Sequence, residues 1–275
     1  MSRLNKQRGL IEPGDRVMVA ISGGKDSWGM LHLLRAYQRK LPFDFSMVAV
    51  NLDQGHPGFP VSTIRDHLVQ EGFEHHLVSV DTFRVVKEHT PQGKAFCSLC
   101  SRLRRGILYR TATELGATKI ALGHHREDVL ETFLLNFIYA GQLKAMPCSL
   151  RSDSGEHTVI RPLATCAEAD LAALASARGY PIVPCDLCGS QENLRRKKMK
   201  ALISEFELED SRIPSNMFAA LGNIKPSHLW DEGLANGASR GEASDIEPGT
   251  EGASGATTRD GLVRLRATST EGESW

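Results

Sequence analysis

The stretch Ser22-Gly23-Gly24-Lys25-Asp26-Ser27 carries the densest chemistry in the chain. A short apolar run, Val17-Met18-Val19-Ala20-Ile21, precedes it, and Met30, Leu31 and Leu34 follow at helical spacing. The pattern is that of a strand, a turn and a helix N-terminus. Free N–H groups at a helix start face outward and the helix dipole favours an anion there, so the turn suits a phosphate. Glycine lets the backbone approach such a ligand closely, and Ser22, Lys25 and Ser27 add side-chain donors. This is not a Walker A loop. Val19 stands where that motif needs its first glycine and Asp26 where it needs a Mg²⁺-binding hydroxyl, which argues against γ-phosphate transfer.

A second chemistry lies in the cysteines. Cys97-Ser98-Leu99-Cys100 and Cys185-Asp186-Leu187-Cys188 are two C-x-x-C pairs, while Cys148 and Cys166 stand alone and read as small buried hydrophobes. Spacing lets both thiolates of one pair reach one metal. From spacing alone a closed zinc site, an iron–sulfur cluster and a thioredoxin-type disulfide all remain open.

Strand-end loops supply further polar groups. Asn51-Leu52-Asp53-Gln54-Gly55-His56 closes one apolar run and Gly123-His124-His125-Arg126-Glu127-Asp128 closes another. Asp26, Asp53 and Asp128 are candidates to handle Mg²⁺ beside a polyphosphate, because hard cations take carboxylate oxygens. Asp26 and Asp128 serve equally well as helix caps. Arg102, Arg104, Arg105 and Arg110 follow the first cysteine pair, and Arg195, Arg196, Lys197, Lys198 and Lys200 follow the second. Such runs are often only solvated helix faces. If the cysteine pairs converge, however, so do the basic runs, and their joint surface suits nucleic-acid phosphates.

These residues need a scaffold, and the chain provides an alternating one. Strands are expected over 16–21, 45–52, 76–80 and 119–123, with helices over 27–39, 61–71, 97–115 and 129–139. Such alternation predicts a doubly wound parallel α/β sheet. The pattern breaks from Gly141 to Thr158. A short extended piece at 159–163, helices near 167–178, 192–207 and 214–224, and a Gly/Ser/Thr/Glu-rich tail follow. The tail, 231–275, is too poor in large apolar residues to offset ordering entropy and reads as disordered, leaving 1–225 as the working domain. The 275 residues carry 33 basic and 33 acidic side chains, so no global field marks a polyanion binder and any basic surface must be local. No apolar run approaches the roughly 18 residues of a membrane helix. The basic N-terminus lacks the apolar stretch of a signal peptide, which makes disulfides less expected than thiols or metal ligands.

Taken as motifs, the loop at 22–27 resembles the pyrophosphate loop of the ATP pyrophosphatase (PP-loop) superfamily. The segments Phe96–Gly106, Gly123–Thr132 and Pro184–Gln191, with that loop and the Asn51–His56 stretch, resemble the tRNA 2-thiocytidine biosynthesis family over residues 1–225. The resemblance implies an adenine nucleotide alpha hydrolase-like fold with a helical C-terminal part. It implies a cytoplasmic sulfurtransferase that cleaves ATP to AMP and pyrophosphate and thiolates C2 of cytidine 32 in tRNA through an adenylated base. By position, Ser22, Gly23, Gly24, Lys25, Asp26, Ser27, Asp53, Gly123 and His124 would bind ATP, and Lys25, Asp26 and Asp128 would act with Mg²⁺ in catalysis. Cys97, Cys100 and Cys188 would hold a [4Fe–4S] cluster with one iron left open to sulfide, Cys185 being a neighbour. Arg102, Arg104, Arg105, Arg195, Arg196, Lys197 and Lys198 would contact tRNA. A cysteine desulfurase as sulfur donor and a homodimer are implied as well. Two positions depart from the family pattern: Trp28 is bulkier than expected, and Glu127 replaces a common Asp.

Overall fold

A computed structural model describes residues 1–89, 97–152, 155–183, 193–231 and 233; the side chains of Cys97, Ser98 and Asn193 are outside that description. The chain separates into two units, Met1–His228 and Leu229–Trp275. Almost all of the second unit, and with it the tail expected to be disordered, lies outside the described residues. Cys185 and Cys188 lie outside them too.

The first unit is built on strands β1 (Arg16–Ile21), β2 (Ser46–Asp53), β3 (His75–Ser79), β4 (Lys119–Ala121), β5 (Ser149–Arg151) and β6 (Thr158–Ile160). Their order across the sheet is β3-β2-β1-β4-β6-β5. All neighbours run parallel except β5, which pairs antiparallel with β6 at the edge. The expected doubly wound sheet is therefore present, with one antiparallel edge strand added. The helices are α1 (Ser2–Arg8), α2 (Lys25–Gln38), α3 (Val61–Gln70), α4 (Thr82–His89), α5 (Cys97–Glu114), α6 (Arg126–Leu135), α7 (Glu168–Arg178), α8 (Asn193–Glu209) and α9 (Ile213–Ala220).

Burial explains the layering. On β1, Val17, Val19 and Ile21 pack with Trp28, Leu31 and Ile64 of α2 and α3, while Met18 packs with Leu108 and Ala112 of α5 on the other face. Alternation with both faces apolar is what a central parallel strand requires. A smaller cluster, Leu130, Leu134, Met199 and Ile203, joins α6 to α8. Strand order reverses between β1 and β4, so the crevice at their C-terminal ends is the topological switch point where α/β folds bind ligands. The loops after β1 and β4 are the ones the sequence marks as chemical.

Several expectations are corrected locally. Helix α2 starts at Lys25, two residues before the expected Ser27, so Lys25 and Asp26 belong to its first turn and Gly24 is the N-cap. Asp26 therefore does not cap that helix. The polar lead-in contains α1, whose Leu4 and Asn5 are buried. Thr82–His89, to which the sequence pattern assigns nothing, is helical. The helix expected to run to 139 ends as an α-helix at Leu135 and continues as a π-helical turn, Asn136–Ala140.

The turn after β1 depends on one of its two glycines. Gly23 has φ 86°, and a Cβ there would lie 2.7 Å from Val183 Cγ2; Gly24 has φ −77° and its added Cβ would meet nothing closer than Ser22 Oγ at 3.5 Å. Left-handed backbone costs an L-residue roughly 1–2 kcal/mol before any clash. Gly23→Ala is thus expected to lower unfolding free energy by about 2 kcal/mol or more, and Gly24→Ala by less than about 1 kcal/mol. Urea denaturation of the two variants checks this; equal losses would contradict it.

Candidate active site

The turn holds itself open through its hydroxyls. Gly24 N–H donates to Ser22 Oγ (3.3 Å) and Ser27 Oγ donates to the Gly24 carbonyl (2.8 Å), with Ser22 and Ser27 hydroxyls 3.3 Å apart. Gly123, after β4, packs directly on this element: a Cβ there would sit 3.2 Å from Ser27 N and 3.3 Å from the Asp26 carbonyl. Gly123 thus serves the site by allowing the β4 loop to abut the first turn of α2.

Lys25 is already engaged. Its Nζ donates to Asp26 Oδ2 and to Glu168 Oε1, each at 3.0 Å. Burial works against the ammonium, but the two carboxylates outweigh it and raise the Lys25 pKa. Glu168, in the first turn of α7, also accepts from Lys200 of α8 at 2.7 Å. Burial opposes its charge, yet the two lysines hold its pKa below the usual carboxylate range. Asp26 Oδ1 is buried with no hydrogen-bond partner.

Behind Lys25 lies a deeper carboxylate. Glu127 Oε2 accepts from the Glu168 backbone N–H (2.8 Å) and lies 3.1 Å from His125 Nδ1, while Oε1 accepts from Arg126 (2.6 Å). Burial disfavours its charge, but His125, Arg126 and that N–H outweigh burial and bring the pKa down to about 2. His125 is itself buried. Desolvation opposes the imidazolium, and Glu127, Asp128, Asp26 and Glu168 together overcome it and raise its pKa. His124 behaves oppositely: burial, then the positive Arg161, lower it to about 4, so it is neutral and accepts from Arg161 Nε at 3.3 Å.

The predicted residues separate into groups. Ser22 to Ser27 and Gly123 meet at the switch point, where His125, not among the residues assigned to ATP, joins them, while His124 is engaged with Arg161. Asp128 Oδ2 accepts from the His125 backbone N–H (3.0 Å) at the start of α6, and Oδ1 faces Arg196 at 3.7 Å. Asp53 Oδ1 accepts from Gly55 N–H and shapes the β2 loop. Arg196 is tied to Glu131 at 2.8 Å, whereas Arg195, Lys197 and Lys198 are exposed. Among the described residues no group of three or more His, Cys, Asp or Glu side chains is arranged to hold a metal ion. Glu168 and Lys200 were not singled out for the nucleotide site. In sequence they stand 143 and 175 positions from Lys25, and an acid in a first helical turn reads only as a dipole complement.

The first cysteine segment and the residues that precede the second both reach this end of the sheet. Cys100, in the first turn of α5, lies with Sγ 3.3 Å from Gln54 Oε1 of the β2 loop. The segment leading to Cys185 is fixed twice: Val183 N–H donates to the Gly23 carbonyl (2.9 Å) and Trp28 Nε1 to the Pro181 carbonyl (3.2 Å). The bulky Trp28 is accommodated by being fully buried and by holding that segment. Of the paired cysteines only the Cys100 side chain is among the described residues; its soft sulfur is of the type an iron–sulfur group takes, and the orphaned Asp26 oxygen fits a hard cation.

A PP-loop domain family model matches residues 2–203. A tRNA-cytidine(32) 2-sulfurtransferase of Tolumonas auensis is 56% identical over 243 residues, covering 87% of this chain and 80% of that protein. One from Sorangium cellulosum is 55% identical, covering 82% and 80%, and one from Anaeromyxobacter dehalogenans is 50% identical, covering 93% and 90%. Among solved structures, the U34-tRNA thiolase NcsA from Methanococcus maripaludis with its [4Fe-4S] cluster superposes with TM-score 0.61 at 21% identity, covering 82% of this chain and 78% of that one. At that identity the likeness speaks to fold.

Glu127 gives the site a pH signature. Its folded pKa of about 2 lies below the ordinary 4.5, so its contribution to stability is present above pH 4.5 and lost as pH falls toward 2. Glu127→Gln is expected to cost about 2–3 kcal/mol near pH 7, and the two stability curves should converge between pH 4.5 and 2. Denaturant titrations across that range check it; a pH-independent difference would contradict it.

Proposed function

We propose that this chain, which belongs to the PP-loop family and within it to the tRNA-cytidine(32) 2-sulfurtransferases, replaces the C2 oxygen of cytidine 32 in tRNA by sulfur with cleavage of ATP. The observation that carries the reading is where the chain next to each cysteine pair sits: Cys100 lies against Gln54 of the β2 loop, and Val183, two residues before Cys185, is bonded to Gly23 of the loop that would hold ATP. It supports a site where activation and sulfur delivery are neighbours.

In this reading the first turn of α2 and the loop hydroxyls bind the ATP phosphates. Lys25 leaves Glu168 to follow the leaving pyrophosphate, and Lys200 keeps Glu168 neutralised as it does so. The cytosine O2 forms a bond to the α-phosphorus while the α–β bridging bond breaks. Sulfide sulfur then adds at C2, and AMP departs carrying the former base oxygen. Mg²⁺, held at Asp26, would offset phosphate charge. A [4Fe–4S] cluster on Cys97, Cys100 and Cys188 supplies a thiophilic centre for sulfur delivery when bound. Gln54 orients the Cys100 thiol, and the neutral His124 can donate or accept without adding charge. A desulfurase persulfide is the sulfur source, its outer sulfur released as sulfide by two electrons from a dithiol reductant that becomes a disulfide; the protein acts in the cytoplasm, and it works as a homodimer. No helix among the described residues is long and apolar enough to cross a membrane.

Anaerobic purification should yield a brown protein with about four irons and matching acid-labile sulfide per chain. Supplied with ATP, sulfide and unmodified tRNA, it should form 2-thiocytidine at position 32, detected by nucleoside mass spectrometry. Cys100→Ala should lose colour and thiolation together. One zinc per chain, or full thiolation by a colourless variant, would contradict the reading.

A further inference from the structure

The π-helical turn after α6 exposes an aromatic surface that the site described above does not use. Residues 137–144 are exposed without interruption, and Phe137, Tyr139 and Leu143 retain 53%, 45% and 67% of their accessible area. With Ile138, four large hydrophobic side chains in one run of exposed residues exceed what a solvated loop needs. π-Turns are rare and recur at functional positions. The aromatic rings are also ordered: Phe137 stacks on Phe133 with centroids 5.7 Å apart and planes 14° apart, and the Arg195 guanidinium lies over Tyr139 at 4.7 Å.

We infer that the Tyr139 ring with Arg195 and the Phe137 ring with Phe133 form a two-part stacking platform for unpaired bases of the substrate RNA, a few nucleotides from the base being modified. The inference rests on the tRNA reading above and extends it to a named surface. Flat rings beside an Arg fork suit splayed bases of a single-stranded loop, since every base offers a π-face. Lys197 and Lys198, exposed on α8 and without a salt bridge among the described residues, supply charge for the flanking phosphates. A second copy of the chain fits less well. A two-fold interface centred here would set Arg195, Lys197 and Lys198 against their own images. Distance agrees too. From Asp128 to Tyr139 the helix rises roughly 15 Å, which a few nucleotides of loop can span.

The test uses the full chain, prepared anaerobically, with a synthetic anticodon stem–loop and a blunt RNA duplex of equal length as probes. Phe137→Ala with Tyr139→Ala should weaken stem–loop binding by about ten-fold or more while leaving duplex binding and the salt slope unchanged. Tyr139→Phe should bind as the parent does, and Tyr139→Leu, which keeps apolar area but loses the ring, should not. Lys197→Ala with Lys198→Ala should instead weaken both RNAs and flatten the salt slope. Unchanged stem–loop affinity in the aromatic double variant would overturn the platform. So would conversion of a dimer to monomers, by sedimentation, with RNA affinity intact. A parent protein that binds neither RNA would overturn both the platform and the tRNA reading. One that binds the stem–loop as described yet never thiolates it would overturn the reading and spare the platform.

Discussion

The Glu127 carboxylate is the contact on which the site's geometry depends. One buried group accepts from the backbone N–H that opens α7, from Arg126 at the start of α6 and lies against His125 from the β4 loop. It thereby fixes Glu168, and Glu168 fixes Lys25. A charge this buried is tolerable only because its lone pairs are taken up by charged or strongly polar donors. The added methylene relative to Asp gives the carboxylate the reach to join α6 and α7.

From that anchor the arrangement grows outward. Strand reversal between β1 and β4 opens the crevice, Gly23 lets the chain turn into α2, and Gly123 lets the second loop approach. The Val183 bond to Gly23 then couples the segment before the second cysteine pair to the same turn. A shift in the nucleotide loop would therefore be felt where sulfur chemistry is proposed, without a separate hinge. Helix α8 contributes at two levels: Lys200 and Arg196 are ion-paired to Glu168 and Glu131, while Arg195, Lys197 and Lys198 are exposed and outside those pairs. The basic run that reads as one feature in sequence is divided by helical periodicity into an ion-paired half and a solvent-facing half.

Much of this was legible beforehand because it is local. The strand, turn and helix around residues 16–38 declare themselves by period, and the alternation of elements predicts the sheet. Edge strand β5 has three residues, all exposed, and so carries no burial alternation to read. The π-turn was hidden because Phe133 and Phe137 continue a helical spacing that the backbone abandons at Asn136. Glu168 could not be found from spacing, since its role arises only when α7 folds back on α2. Asp128 is not the N-cap expected of it: His125 holds that position, and Asp128, at the third position of α6, reaches back to the His125 N–H. The motif family was readable because its loops are short and dense, and the long-range tethers were not because no local pattern encodes them.

In the proposed reaction the base oxygen attacks the α-phosphorus of ATP and leaves with AMP. It can be followed atom by atom. Unmodified tRNA carrying ¹⁸O at C2 of cytidine 32 is incubated anaerobically with the full protein, ATP and sulfide, and the products are separated by mass spectrometry. The account predicts one ¹⁸O in AMP for each 2-thiocytidine formed and none in pyrophosphate. Label in inorganic phosphate with ADP formed, or thiolation without AMP, would contradict it.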